Sequence, residues 1–350
     1  NLASEMNANG ISVLEAELSK RIRKNLPKDF ILDTNLSVDS GAIAIAFALA
    51  WENITIERLG NLEDNNYSNI SSPFSYSIVI DLYANILVFD FKEKKIISSF
   101  PVGVKLKSAS LIEPDEKYLA DLIRNLYLSN DYGINIFDEF VQRLGKIKLK
   151  EKYGNYVQIT SVNLSDATKS KLLQVSPLNT SEFAQFVGLG LTNHLSTIHK
   201  IGILPFTKGQ AIGGKMPARF ANAEMFMFTL PDPDYVIEIE YLGFGKKELD
   251  NTPTELAILY VTGFRVLAYE PLTGRIYANA DFRENIVKKL IAGNSEPDDW
   301  SGYQLAFWKL ARVLSEQIII RSDEWLSKHS QTSGVSAQLA KLEEVLNKCR

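Results

Sequence analysis

The sequence predicts an α/β (α+β) protein made of two tandem, internally repeated domains. Each domain is expected to have two or three layers and a mixed sheet, and to begin and end with a helix. The composition is that of a folded protein, with 45% hydrophobic and 23% charged residues. A length of 350 residues suits two domains of about 100–200 residues each. The third observation is that both halves of the chain repeat one order of elements.

The clearest repeat is a pair of predicted β-hairpins. In the first half, apolar residues at 76–80 and 86–90 precede a lysine-rich turn. In the second half, similar runs at 256–260 and 266–270 precede the turn Thr273-Gly274-Arg275, and the two stretches align without a gap. Two apolar runs around a short polar turn are typical of a hairpin. Gly263, aligned with Tyr83, indicates a bulge or a close backbone approach in the second hairpin.

A proline followed by acidic residues comes after each hairpin and predicts a helix start. The two signals are Glu113-Pro114-Asp115-Glu116 and Glu296-Pro297-Asp298-Asp299. Proline is tolerated at the first helical position because its missing N–H would be unpaired there, and acidic side chains interact favourably with the positive end of the helix dipole. Apolar residues at helical spacing follow both signals, namely Tyr118, Leu119, Leu122, Ile123, Leu126, Tyr303, Phe307, Leu310 and Leu314.

Both halves also begin alike. Ser12 with Glu15, and Asn179 with Glu182, have the spacing of a capping box at a helix start. The predicted helices run through Leu26 and Ile198, and short apolar runs follow at 30–32 and 201–206. The shared order of helix, strands, hairpin and helix predicts a duplication.

The remaining apolar patterns complete the predicted organisation. Alternation at 235–242, with a counterpart at 53–57, predicts a further strand in each half, and Tyr156 to Val162 predicts a strand in the connection. The predicted domains are 10–150 and 179–322, with a connecting segment at 151–178 and a helical tail at 323–350. The tail carries one apolar stripe that docks either on the protein's own domain or on another chain: Val335, Leu339, Leu342, Leu346 and Cys349.

Charge and cysteine content exclude several classes of function. The net charge is −4 and the basic residues are scattered, whereas nucleic-acid binders usually carry a basic domain or stripe. The chain lacks the run of about 18 apolar residues that a membrane helix needs. Cys349 is the only cysteine and there are three histidines, so neither an internal disulfide nor a metal centre is expected. No cofactor is expected.

The strongest motif for a binding site is Gly209-Gln210-Ala211-Ile212-Gly213-Gly214-Lys215. It matches the G-x-x-x-x-G-K frame, in which glycine amides surround phosphates and the lysine reaches the terminal ones. Met216, however, stands where a magnesium-binding Ser or Thr belongs, and the residues after Pro217 are typical of a strand. Gly209, Gly214 and Lys215 are therefore weak candidates for cofactor binding, and a polar loop is the favoured interpretation.

Two other features receive structural interpretations. Gly188 and Gly190 lack the third glycine of a dinucleotide fingerprint and lie within a helical pattern, which favours close helix packing. His194 and His199 are five positions apart and face different ways on a helix, unlike a zinc-binding pair at i and i+4. We expect both histidines at the surface or at its boundary.

The second half resembles a known family. A helix is followed by Ile203-Leu204-Pro205-Phe206, a polar loop, the strand at 234–239, a hairpin turning at 273–276 and a helix. This order is similar to the small α/β domain shared by the TolB amino-terminal domain, the curli-secretion lipoprotein and the lipoprotein activators of penicillin-binding proteins. The resemblance covers about residues 180–322. It implies a bacterial envelope protein without catalytic residues that scaffolds, assembles rings or binds protein partners.

The sequence therefore predicts a non-enzymatic cell-envelope protein that acts as a scaffold or as a protein–protein interaction module. It is expected to be periplasmic or associated with the outer membrane, with cytoplasmic placement as the alternative, and to bind envelope proteins or further copies of itself. Because the chain begins at Asn1 without an initiator methionine, we expect a mature or trimmed form. The lipid-bearing cysteine of the family is absent from this sequence. The alternative functions are a ligand-binding or regulatory protein with a cleft between its domains, and a nucleotide-dependent enzyme using the loop 209–215.

Overall fold

The chain folds as a mixed α/β protein, as the sequence predicts. A computed structural model describes residues 2, 5–25, 43–61, 74–147, 154–206, 214–219, 225–252, 255–291 and 299–350. The helices in these ranges are α1 (Val13–Asn25), α2 (Glu116–Leu128), α3 (Ile136–Leu144), α4 (Asp166–Val175), α5 (Thr180–His199), α6 (Asp299–Ile320), α7 (Asp323–His329) and α8 (Val335–Lys348). The strands are β1 (Ile43–Asn61), β2 (Phe74–Asp90), β3 (Lys95–Ser110), β4 (Val157–Leu164), β5 (Lys215–Arg219), β6 (Met225–Thr229), β7 (Tyr235–Asn251), β8 (Glu255–Tyr269) and β9 (Ile276–Ile291).

The chain divides into two compact units, each assembled from three stretches of sequence. The first unit contains Asn1–Ile56, Tyr76–Tyr153 and Gly209–Asp232. The second contains Glu57–Ser75, Gly154–Lys208 and Pro233–Arg350. The sequence-based division gives domains at 10–150 and 179–322, a connecting segment at 151–178 and a tail at 323–350. It concerns segments that fold independently, and it remains a prediction.

The first unit is built on a mixed sheet that closes on itself. Its strand order is β1-β2-β3-β6-β5, and Leu49 of β1 pairs with Arg219 of β5 to close the ring. Strand β6 runs parallel to β3 and pairs with it at Lys95↔Thr229. Helix α3 packs on this sheet, where Phe47 contacts the rings of Phe137 and Phe140 edge-on at 5.1 and 5.7 Å. Such aromatic pairs stabilise a core beyond the area that they bury.

The second unit is a mixed sheet covered on one face by helices. Its order is β4-β7-β8-β9, with β4 parallel to β7 and the other pairs antiparallel. Helices α5, α6 and α8 cover one face, where the strands bury the side chains of Ile237, Ile239, Phe264, Val266, Ala278, Ala280 and Phe282. Because side chains alternate along a strand, the residues between these positions form the opposite face.

The two predicted hairpins, β2–β3 and β8–β9, have the same strand register. Adding 180 to each residue number of the Tyr83↔Gly103 pairing gives the pairing Gly263↔Arg283. Both hairpins also carry their irregularity at the equivalent position, after Val88 in β2 and after Ala268 in β8. A Cβ at Gly263 would lie 2.9 Å from Cγ of Arg283, which confirms the close approach that this glycine predicts.

Three predicted helix starts are found, one with a shift. Helix α1 begins at Val13, directly after Ser12. Asn179 and Glu182 form the predicted capping box of α5. Helix α2 follows the first proline–acid signal, but Asp115 is the N-cap and accepts a bond from the backbone N–H of Tyr118. Pro114 therefore precedes the cap and does not occupy the first helical position as predicted. The side chain of Asp115 satisfies an amide that would otherwise lack an acceptor, so the helix begins there. The run 30–32 and the signal at 296–298 lie outside the described residues.

The predicted helical tail packs on the protein's own second unit. Helix α8 contacts β9 and α6 and buries Leu339, Leu342, Leu346 and Cys349. The tail therefore docks on the protein's own domain, which is the first of the two predicted alternatives. Among the helices of the described residues, none combines the length and the apolar character needed to cross a bilayer.

Candidate functional site

The phosphate-loop candidate is partly described, and its described half leads into a strand. Gly209 lies outside the described residues. Gly214 adopts a positive φ of 70° and its carbonyl accepts a 2.6 Å bond from the N–H of Leu230. Lys215 is exposed and is the first residue of β5, whereas a phosphate loop leads into a helix whose N-terminus faces the anion. A binding role for Gly209, Gly214 and Lys215 remains a prediction.

The glycines in α5 serve close packing, as predicted. A Cβ on Gly188 would lie 2.6 Å from the ring of Phe206, and one on Gly190 would lie 2.7 Å from the ring of Trp308. Both distances are shorter than van der Waals contact, so only glycine fits without movement of a neighbouring ring. Helix α5 therefore approaches its neighbours closely at these two positions.

The two helical histidines have different environments. His194 is partly exposed and lies edge-on to Trp308 at 5.8 Å. His199 is only 1% exposed, and its Nε2 lies 3.1 Å from the carbonyl oxygen of Ser315. The prediction that His199 lies at the surface is therefore wrong. The reason is that α6 packs over this end of α5 and offers the imidazole a backbone acceptor.

A polar surface lies on the uncovered face of the second sheet, here called the Arg265 face. It consists of Ser161, Asn163, Glu238, Glu240, Arg265, Leu267, Tyr269, Asn279 and Asp281. In-register pairing places Asn163, Glu240, Arg265 and Asp281 in one row across all four strands. The next row contains Ser161, Glu238, Leu267 and Asn279. Side chains opposite each other on adjacent strands are close enough to interact.

Arg265 is the centre of the first row. Its guanidinium binds Asp281 through Nε at 2.6 Å and Nη2 at 3.2 Å, and its Nη1 lies 3.0 Å from Oε2 of Glu240. The hydrogen bonds and charge of Asp281, followed by the charge of Glu240, raise the pKa of Arg265. A bidentate pair fixes the guanidinium plane. The arginine is thus held in one orientation across β7, β8 and β9.

Glu238 is oriented by a neighbouring phenol. The hydroxyl of Tyr269 donates to Oε1 of Glu238 at 2.9 Å. This hydrogen bond is the main cause that raises the pKa of Tyr269. The carboxylate is therefore fixed on β7, next to the Arg265 row.

A cavity of about 370 Å³ lies on the Arg265 face. Its polar lining includes Asn163, Ser165, Glu238, Arg265 and Asn279, with Leu267 as an apolar element. Glu238, Glu240 and Asp281 share the face with Arg265 and Arg283, so its formal charge is negative. Amides and carboxylates beside the apolar Leu164, Ile239 and Leu267 suit the recognition of polar and cationic groups.

The outer edge of β9 is covered by side chains from neighbouring helices and loops. The N–H groups of Asn279 and Asp281 donate to Oε1 of Gln338 at 2.7 Å and Oγ1 of Thr332 at 3.0 Å. Nδ1 of His329 donates to the carbonyl of Arg283 at 2.8 Å. An open edge is a template for pairing with another chain, so these contacts protect β9 along 279–283.

The opposite edge of this sheet is also partly covered. The N–H of Leu204 donates to the carbonyl of Val157 at 3.0 Å, and Nε2 of Gln158 donates to the carbonyl of Pro205 at 2.8 Å. The predicted strand at 201–206 is thus reduced to one bridge between Gln158 and Leu204. Because both edges are occupied here, the exposed face is the more accessible contact surface of this unit.

A second polar group lies where β9, α6 and α7 meet. Glu284, 2% exposed, accepts from Nζ of Lys309 at 3.2 Å and Nε1 of Trp325 at 3.4 Å. The ring of His329 stacks on Trp325 at 4.7 Å. Satisfied buried carboxylates of this kind anchor packed elements. Within the described residues, no three His, Cys, Asp or Glu side chains are grouped to hold a metal ion.

Comparisons with known proteins find similar solved structures, two of which are described below. No family model and no curated protein matches the chain. One structure is a neuraminyllactose-binding hemagglutinin homolog from Helicobacter pylori, with 9% identity and a TM-score of 0.24 over 52% of this chain and 94% of that chain. The other is a DUF330 protein from Xanthomonas campestris, with 7% identity and a TM-score of 0.16 over 47% of this chain and 81% of that chain. Both TM-scores are too low to carry a functional argument.

Sequence reasoning missed the Arg265 face. Its only local signals were the alternating Glu238 and Glu240 in a predicted strand and Arg265 within an apolar one. Asn163 joins the row because β4 pairs with β7, more than 70 residues later in the chain. That pairing, and therefore the row, cannot be read from local patterns.

Proposed function

We propose that this protein is a non-enzymatic component of a bacterial cell envelope that acts as a scaffold or a protein–protein interaction module. The observation that carries the proposal is the Arg265 face, an exposed polar sheet face with side chains held by hydrogen bonds. Its charged groups are paired with each other, which suits recognition more than the transfer of protons or groups. The envelope placement rests on the family resemblance of residues 180–322.

The charge of the Arg265 face determines the kind of partner. The three carboxylates Glu238, Glu240 and Asp281 exceed the two positive charges of this face, Arg265 and the exposed Arg283 in the neighbouring row. A partner that presents lysine or arginine is therefore electrostatically complementary. The 370 Å³ cavity beside Glu238 would receive one such side chain. Asn163 and Asn279 lie at either side of the cavity as hydrogen-bonding groups. The face thus combines a charged centre with an amide rim.

We also infer that the two hairpins descend from one duplicated module. Identical register with an offset of 180, together with a bulge at the same position, supports this. The strands β1 and β7 precede the hairpins at corresponding places in the two sheets. A duplicated scaffold of this type supplies two sheets whose surfaces diverge for different contacts.

Photo-crosslinking in the native cells tests the proposed function. A photoreactive phenylalanine analogue at Asn279 or Asn163 should give a defined crosslinked protein from the envelope fraction. The same analogue at Glu316, a partly exposed residue on α6, is the matched control and should not. Crosslinking of equal strength from Glu316, or recovery in the cytosolic fraction only, would contradict the proposal.

Charge reversal on the face tests the chemistry of the partner. Glu238→Lys and Glu240→Lys should each weaken binding to the crosslinked partner by about tenfold, equivalent to about 1.4 kcal/mol. Arg312→Glu, which changes an exposed pair within α6, should leave binding unchanged. If both glutamate variants bind like the parent protein, the acidic face is not the contact surface.

A further inference from the structure

A second surface with exposed apolar and basic side chains lies in the first unit, on the antiparallel pair β5–β6. This inference rests on the proposed role in binding proteins, but it uses different residues from the Arg265 face. The relevant feature is the edge of β6 that faces away from β5. We call the segment Met225–Met227, seen from that side, the β6 edge.

The outward backbone groups of Met225 and Met227 pair with no strand within the described residues. Leu230 donates its N–H to the carbonyl of Gly214 in the β5 segment, so alternate residues of β6 direct their backbone groups away from β5. The N–H of Thr229 points to this outer side and donates to the carbonyl of Lys94 at 2.9 Å. Strand β3 begins only at Lys95 and pairs with β6 at Thr229 alone. Beyond this point, no described strand accompanies Met225 and Met227.

The side chains of the β6 edge are exposed and apolar. Met225 is 62% and Met227 53% exposed. Across β5, Met227 is paired with Pro217. Proline has no N–H to contribute to a ladder, so it fits a position whose N–H does not face β6. The methionines are flexible apolar side chains that adapt to varied partners.

Lysines surround the apolar part of this surface. Lys95 and Lys215 both pair with Thr229 and therefore share its face of the sheet. Both are exposed, as are Lys92 and Lys94 in the adjacent turn, where Glu93 is the exposed acid. The surface is thus positively charged next to two apolar side chains on a strand edge that no other described strand covers.

We propose that the β6 edge binds an extended segment of a protein partner by strand addition. The partner's backbone would pair with the outward N–H and C=O groups of Met225 and Met227. Its apolar side chains would contact the methionines, and its acidic side chains would lie near Lys95 and Lys215. This partner is acidic, in contrast to the basic partner that fits the Arg265 face.

A defined peptide tests the strand addition. The probe is a blocked, fluorescently labelled octapeptide that alternates valine and glutamate, titrated into the full chain and followed by fluorescence anisotropy. We expect saturable binding, and slower hydrogen exchange of the amides of Met225 and Met227 in the complex. A peptide that alternates valine and lysine should bind about tenfold more weakly or worse.

Met227→Pro is the decisive variant because it removes the outward N–H without removing a bond to β5. It should weaken binding of the glutamate peptide by about tenfold, whereas Met227→Leu, which keeps the N–H, should bind like the parent. Lys95→Glu with Lys215→Glu provides a second test that leaves the backbone intact. If circular dichroism shows that Met227→Pro does not fold, Lys95→Glu with Lys215→Glu is the deciding variant. It should show the same loss of binding of the glutamate peptide.

Several results would overturn the inference. Equal binding of the glutamate peptide to the parent and to Met227→Pro excludes backbone pairing. A second contrary result is that the peptide does not bind, whereas anionic phospholipid vesicles bind equally to the parent and to Met227→Pro. The lysines would then belong to a membrane-binding surface. If the peptide fails while Asn279 still gives a crosslinked partner, the strand addition is wrong and the proposed function stands.

Discussion

Asp81 and Lys105 face each other across β2 and β3, and their charged groups lie 3.2 Å apart inside the first unit. Asp81 is 0% exposed. Burial is the largest influence on both groups: it raises the pKa of Asp81 against the opposing charge of Lys105, and it lowers the pKa of Lys105. The pair therefore carries a desolvation cost that its attraction does not fully offset.

Removing one partner of this pair should destabilise the protein strongly. Asp81→Ala should lower the free energy of unfolding by about 3–5 kcal/mol, because Lys105 is left as an uncompensated charge. The double change Asp81→Val with Lys105→Met should restore most of that loss or exceed the parent. Valine is the choice because Val261 occupies the equivalent position in the second hairpin. Urea unfolding of the parent, Asp81→Ala and the double variant makes the comparison, and a double variant as unstable as Asp81→Ala would contradict this account.

Elements with strong local patterns could be predicted from the sequence. The hairpins β2–β3 and β8–β9 were found because alternating apolar runs and a turn are both local. The capping box of Asn179 and Glu182 was found for the same reason. Helix α3 was missed although Phe137, Phe140 and Leu144 are all buried. With 9 residues, it spans too few turns for its apolar spacing to stand out.

Features that depend on distant pairing could not be predicted. The Arg265 row requires β4 beside β7, and the burial of His199 requires the carbonyl of Ser315 on α6. The β6 edge exists because β3 begins at Lys95 and not earlier. In each case the deciding contact joins segments far apart in sequence, where local propensity carries no information.

Gly188→Ala should destabilise the protein through overpacking. The added methyl group would lie 2.6 Å from the ring of Phe206, and such strain costs about 1–3 kcal/mol. The better helix propensity of alanine offsets up to about 1 kcal/mol of this. Gly154→Ala is the matched control, because nothing lies within 4 Å of its added carbon. Thermal unfolding of the two variants should show a lower midpoint for Gly188→Ala only; equal midpoints would mean that Phe206 moves aside freely.

His199 should make the protein less stable in mild acid. Burial lowers the pKa of His199 most strongly, and Arg350 acts in the same direction, while the bond to Ser315 and the charge of Glu343 act against them. A lowered folded pKa favours the neutral ring, so its contribution to stability is present above the unfolded pKa of about 6.5 and is lost as the pH falls below that value.

The measurement is urea unfolding between about pH 7 and pH 5. The parent's free energy of unfolding should fall more steeply than that of His199→Gln, which keeps a donor for the Ser315 carbonyl but does not titrate. The slope difference is limited to about 1.4 kcal/mol per pH unit for one proton. His194→Gln, a change at the partly exposed histidine, should retain the parent's slope. Parallel slopes for the parent and His199→Gln would show that His199 is not responsible.

Cys349 should be unreactive in the folded protein and should report on the docking of α8. Its side chain is 2% exposed, and burial, followed by the charge of Asp234, raises its pKa to about 12. Because the thiolate is the reactive species, labelling with a disulfide reagent at about pH 8 requires α8 to open first.

Labelling kinetics test this directly. The native rate should be about a hundredfold or more below that of an exposed thiol, corresponding to an opening free energy of about 2.7 kcal/mol or more. Ser333→Cys in a Cys349→Ser background supplies that exposed thiol on the same chain. Leu342→Ala, which removes a buried contact of α8, should accelerate labelling of Cys349 because a cavity weakens docking. Rapid labelling of the native parent would mean that α8 leaves β9 readily, and the side-chain cover of the β9 edge by Gln338 would then be transient.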